Sequence, residues 1–115
     1  MLFRSTKMAN TFTSYVNKNV GTSAATVVTV GASTQTTIIG LSFANTTTSP
    51  ITASAYITRS GTDYYLISGA TVPVGSSLVV VGGDQKTVMI TGDALKVVTS
   101  AASSADVVTS VLNIT

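Results

Sequence analysis

The sequence predicts an all-β chain: a single antiparallel β-sandwich, Ig-like or jelly-roll-like, of about eight short strands with an extended N-terminal arm. Three observations predict it. No stretch of the 115 residues sustains a helical period, whereas short apolar alternations recur along the whole chain. The intervals between them carry turn chemistry: "GAST" at Gly31, "NTTTSP" at Asn45, "RSGTD" at Arg59, "VPVG" at Val72, "GGDQ" at Gly82, "TGDA" at Thr91 and "SAASSA" at Ser100. Finally, only 9 % of the residues are charged, against roughly 25 % in an average soluble domain. Ser and Thr supply the polarity instead, and Thr and Val favour extended backbone because a branched Cβ packs well on a pleated surface.

Taken in order, extended segments are expected at 11–16, 25–30, 36–44, 51–59, 63–68, 78–81, 86–90, 95–99 and 106–114. Residues 1–20 read as the arm and 21–115 as the sandwich. "RSGTDYY" joins the fourth and fifth segments as a hairpin, with Gly61 supplying a positive φ. Alternation places Ile39, Leu41 and Phe43 on one face of their strand, and Ile51, Ala53, Ala55 and Ile57 on one face of the next. Leu66, Val79, Val81, Val88, Ile90, Leu95 and Val97 complete the expected core.

Charge is distributed unevenly. Arg4, Lys7 and Lys18 have no acid among them, whereas the remainder carries Arg59, Lys86 and Lys96 against Asp63, Asp84, Asp93 and Asp106. Together with Phe12 and Tyr15, the three cations make the arm a candidate for docking on an acidic neighbouring surface. Three cations in one short segment are too few to describe a nucleic-acid site, and no nucleic-acid partner is expected. No apolar run approaches the roughly 20 residues that span a bilayer, so no membrane partner is expected, and the start of the chain lacks a signal-peptide pattern.

The chemistry available is narrow. With no His and no Cys, neither a Ser/His/Asp nor a Cys/His nucleophile can be built. Asp84 and Asp93 are the best candidates for a carboxylate pair, but each stands beside glycine, where Asp ordinarily caps a turn. "VGGDQK" lacks the phosphate-loop spacing and no helix follows it. The expectation is a protein that is not an enzyme, without catalytic residues, metal or cofactor. Asn45-Thr46-Thr47 and Asn113-Ile114-Thr115 match the glycosylation pattern, which a Thr-rich chain meets by chance.

Several strands are apolar on both faces. Ile38, Tyr56, Tyr65, Val80 and Val98 each lie opposite a residue assigned to the core, so they are the candidates for an oligomer interface, since monomers rarely leave large apolar patches open. The tyrosines at 56, 64 and 65 are alternatively a ligand platform, although Asp63 is the only carboxylate beside them in sequence.

The segments "TTIIGLSFANTTTSPITASAYITRSGTDYYLI", "VPVGSSLVVVGGDQK" and "ITGDALKV", in that order, resemble a family of small structural proteins of tailed bacteriophages, especially cyanophages and related marine phages. The stretch "MANTFTSYVNKNVGTS" from Met8 also looks like that family's usual start. The resemblance covers most of the chain, and its motifs are strands and turns, not catalytic residues. It implies a virion component on the phage particle, made in the host cytoplasm: a decoration (cement) protein. Its partner would be the major capsid protein or another virion subunit, and it would form a homo-oligomer, dimer or trimer. A neck, collar or tail-fibre module, structural or binding a receptor or glycan, is the alternative the resemblance leaves open.

Overall fold

A computed structural model describes residues 10–82 and 86–115. Nine strands form in chain order: β1 (Asn10–Val20), β2 (Ala25–Thr29), β3 (Gln35–Asn45), β4 (Ile51–Arg59), β5 (Thr62–Val72), β6 (Ser77–Val81), β7 (Thr87–Met89), β8 (Ala94–Thr99) and β9 (Ala105–Ile114). All pairings are antiparallel. The first sheet runs β1-β9-β3-β6, with β7 taking the other half of the β3 edge, and the second runs β2-β8-β4-β5. Successive strands therefore cross between sheets, except at the β4–β5 hairpin and between β6 and β7. That alternation makes a jelly roll and settles the choice left open by the sequence. The hairpin closes through Ser60 and Gly61, both at positive φ, between the paired Arg59 and Thr62. Two adjacent positive-φ residues give the turn that matches the twist of its strands.

All nine expected segments are strands, but two expectations need correction. Residues 10–20 do not form an arm apart from the sandwich. They are β1, paired with β9 from Asn10↔Ile114 to Val20↔Ala105, because Thr13, Tyr15 and Asn17 alternate inward and a period of two can be half-buried only within a sheet. Arg4 and Lys7 lie outside the described residues, as does Asp84.

The second correction concerns the core. Phe43, Leu41, Leu95, Val97, Ala53 and Ala55 are buried as expected. Ile39 is not: its neighbour Ile38 is fully buried. The ladder passes from Ile38↔Val111 to Gly40↔Ser110, so Ile39 is an extra, bulged residue. One inserted residue exchanges the faces of everything beyond it. Val80 is likewise extra between Leu41↔Val81 and Ser42↔Val79, which puts Val81 inside and leaves Val79 outside. In β7 the pair Thr36↔Met89 turns Met89 inward and Val88 outward. Val79, Val88 and Ile90 are thus exposed and Leu66 only half-buried.

Polar groups close the ends of the sandwich. Asn45, buried, donates from Nδ2 to the carbonyls of Ser49, Val72 and Pro73, and its Oδ1 accepts from the Thr47 N–H and hydroxyl. Its amide is therefore occupied in holding the β3–β4 loop. At another end Asp93, 1 % exposed, accepts from Arg59 Nε at 2.8 Å and Nη2 at 2.6 Å, and from the Ile90 N–H at 3.0 Å. Asp93 is thereby an ion-pair partner, and among the described residues no group of three His, Cys, Asp or Glu side chains gathers that could hold a metal.

Candidate functional site

The site-bearing surface is the outward face of the first sheet. Paired residues share a face, so the register fixes its layout in three cross-strand rows. One row is Val16–Val108–Ser42–Val79, across β1, β9, β3 and β6. A second is Phe12–Leu112–Thr37–Val88, across β1, β9, β3 and β7. Between them runs a row of small side chains, Ser14–Ser110–Gly40. Two apolar ridges thus flank a trough, and a depression of about 370 Å³ lies along it, lined by Phe12, Thr13, Ser14, Ile39, Ser110 and Val111. Phe12 is 73 % exposed and Val16 75 %. Together with Val79, Val88 and Val108, they account for five of the nine exposed large apolar side chains among the described residues. The register alone collects them on one face.

The outward face of the second sheet differs. There Lys96 pairs with Thr26 and Tyr56, Thr58 with Asp63, Ser54 with Val98, and Thr52 with Thr71. The Thr58 hydroxyl donates to Asp63 at 2.7 Å. This face is hydroxyl-rich and its one large aromatic pair is self-covered: Tyr65 lies over Tyr56, ring centroids 4.9 Å apart. Burial pushes the Tyr56 phenol pKa up, with Asp63 adding to the shift.

The sequence-predicted interface residues do not meet on one surface. Ile38 is core, a correction with the Ile39 bulge as its cause. Val80 is the bulged residue of β6 and packs against the core. Tyr56 and Val98 belong to the outer face of the second sheet, where Tyr56 is buried and Val98 half-buried, and only Tyr65 is well exposed. Of the expected arm residues, Phe12 stands on the exposed face, while Tyr15 turns inward against the core. Lys18 is tied to Asp106 at 3.0 Å. The Asn19 N–H, first, and Lys18 then hold the Asp106 carboxyl below the ordinary carboxylate range. Asn19 has φ 53° and sits in a bulge opposite Asp106, which is how two successive residues reach one carboxylate.

Sequence reasoning missed Val16, and it placed Val79 and Val88 inside. The signal that finds Val16 is the run Phe12-x-Ser14-x-Val16, a period of two continuing through a segment read as an arm. Nothing local in "LVVVGG" says which Val is bulged.

No known family profile and no curated protein matches the chain. Among solved structures, a subunit from "Bacillus endospore appendages", described as a family of disulfide-linked pili, is similar at 17 % identity and TM-score 0.51, over 94 % of this chain and 88 % of that one. A chain from the infectious bursal disease virus Gt strain aligns at 12 % identity and TM-score 0.40, over 94 % of this chain and 37 % of that one. What the first of these shares with the present chain is its fold.

Proposed function

We propose that this chain is a structural subunit of an ordered assembly, and specifically a decoration protein that binds the assembled head of a tailed phage. The observation that carries the proposal is the uncovered apolar face of the first sheet, two ridges and a trough with no charged side chain among its three rows. A face of that kind suits a partner surface that excludes water from it. The resemblance to phage structural proteins supplies the partner, the major capsid protein or another virion subunit. The pilus subunit supports the coarser half of the reading: a sandwich of this fold serves there in an assembly whose name specifies disulfide links. With no cysteine, the present chain would hold its neighbours without disulfide links. Its action requires no catalysis. A subunit that binds only the assembled shell stabilises it by linkage, and many copies compound weak contacts through avidity. The basic start of the chain, with Arg4 and Lys7, would add attraction to an acidic shell surface.

The test is binding to purified undecorated heads. Val79→Asp, on the outer face far from β1, should abolish binding while leaving the thermal melt of the free protein unchanged. Undiminished binding by that variant refutes the face. A stained gel of purified virions should show a copy number comparable with that of the major capsid protein, and a few copies per particle would move the chain to the neck or tail.

One observation favours a second reading, a glycan- or receptor-binding module: Tyr64 and Tyr65 are both more than half exposed. Neighbouring strand residues face opposite ways, however. Tyr65 lies over Tyr56, whereas Tyr64 lines a separate depression of about 360 Å³ with Ile57 and Arg59. Saturable glycan binding lost in Tyr64→Ala would favour this reading.

A further inference from the structure

We infer that β1 is a pairing edge for a second copy of this chain, antiparallel about a two-fold axis at Ser14. The inference goes beyond the proposed function, takes up the homo-oligomer expected from the sequence, and does not depend on what else the assembly contains. Sheet edges are templates for further strands, and proteins blunt them with shortness, bulges, charge or proline. Among the described residues three of the four edges are blunted. The β6/β7 edge is broken in two and bulged at Val80. β2 has five residues and a bulge at Val27. β5 carries two irregularities, with Gly69 at φ 66°. β1 differs. From Asn10 to Asn17 it pairs with β9 without a register shift, and those residues, "NTFTSYVN", include no charge and no proline.

The register of the second copy follows from the side chains. Opposed residues in an antiparallel pair share a face, so a two-fold axis normal to the sheet must pass midway between two copies of one residue. Centred on Ser14, it sets Phe12 against Val16 of the second copy, Val16 against Phe12, and Ser14 against Ser14. Centred on Thr13 it sets Phe12 against Ser14, and centred on Tyr15 it sets Phe12 against Lys18. Of these three registers, only that at Ser14 joins one apolar ridge to the other: Val88–Thr37–Leu112–Phe12 of one copy continues into Val16–Val108–Ser42–Val79 of the other. The same register brings Thr11 of the second copy opposite Asn17, whose side-chain oxygen is buried without a hydrogen-bond partner in the single chain. The product is one continuous sheet with a doubled outer face.

Because the chain has no cysteine, Ser14→Cys introduces a single thiol at an exposed position. Directly opposed residues in an antiparallel pair have Cα atoms about 4.5–5.5 Å apart, within the disulfide range of about 4.4–6.8 Å. Mild oxidation should convert Ser14→Cys to a covalent dimer, while Thr71→Cys, on the β5 edge, should remain uncrosslinked. In sedimentation the unsubstituted protein should show twice the monomer mass, and Ser14→Asp should raise the dimer dissociation constant about tenfold or more by opposing two like charges. Circular dichroism establishes that each variant is folded. A monomeric unsubstituted protein, a dimer that Ser14→Cys does not crosslink, or concentration-dependent growth beyond the dimer each overturns the inference. A monomer that still binds heads, with binding lost in Val79→Asp, removes the dimer and leaves the proposed function standing. A Ser14-crosslinked dimer with no affinity for heads does the reverse.

Discussion

Phe43 is the largest fully buried side chain among the described residues, and its role was legible because it falls in an unbroken alternation with Leu41. Phe43→Ala should cost about 3–5 kcal/mol through lost transfer energy and an unfilled cavity, read as a lowered denaturation midpoint. An unchanged midpoint would remove Phe43 from the core. Asp93 shows a different residue-level control, which its "TGDA" context concealed. Hydrogen bonding from Arg59, chiefly, and from the Ile90 N–H holds its carboxyl below the ordinary range, against the opposing effect of burial. The folded chain therefore binds this proton at lower pH than the unfolded chain. The stabilisation is complete above the unfolded value of about 3.9 and is lost as pH falls through the folded one. Melting temperatures followed from neutral pH into acid should fall along that limb. Asp93→Asn should lower the neutral-pH melting temperature and flatten the acid limb, and a limb unaltered by this substitution would assign it to another carboxylate. Sequence showed Asp beside Gly; it did not show that Arg59, 34 positions away, would reach it.

At the scale of the element, bulges decide which side chains the strands present. The bulged Ile39 makes an unusual prediction. Deleting it restores a regular ladder in which Thr36, Ile38, Leu41 and Phe43 all keep their inward faces, so the deletion should leave a folded protein. Deleting Ser42, inside the same strand, would turn Phe43 outward and should unfold it. Cooperative melting of both deletions, or of neither, would refute the bulge as the element that sets the face. Gly69 bends β5 through a positive φ, and a Cβ there would meet nothing within 4 Å. Gly69→Val should therefore cost about 1–2 kcal/mol from backbone strain alone, measurable as a shifted urea midpoint with unchanged slope. Strand positions were legible from alternation and turns, but not every face was, because a bulge leaves no local mark in "TTIIGL" or "LVVVGG".

At the scale of the whole molecule, the low charge sets the response to solution conditions. No His is present, so no side chain with an ordinary pKa titrates between about pH 5 and 8, and stability should be flat there. Contacts made by the outer face of the first sheet and by the β1 edge would be apolar and backbone in character. Their strength should change little between low and high sodium chloride and rise with sulfate. A dissociation constant that weakens steeply with salt would instead assign the association to the few charges. Among the described residues Lys18 and Arg59 are already engaged with Asp106 and Asp93, so a salt-dependent part of shell binding would fall to Arg4 and Lys7.

Local chemistry was sufficient to determine that this chain is an all-β sandwich, where the strands from β2 to β9 lie, and that nucleophilic catalysis by His or Cys is closed to it. Each of those follows from residue identity and short-range periodicity. The jelly-roll strand order, the inward turn of Ile38 and Met89, and the gathering of Phe12, Val16, Val79, Val88 and Val108 on one face were decided only in three dimensions. Those features depend on pairings between strands far apart in the chain and on single inserted residues. A shift of one residue there exchanges core for surface.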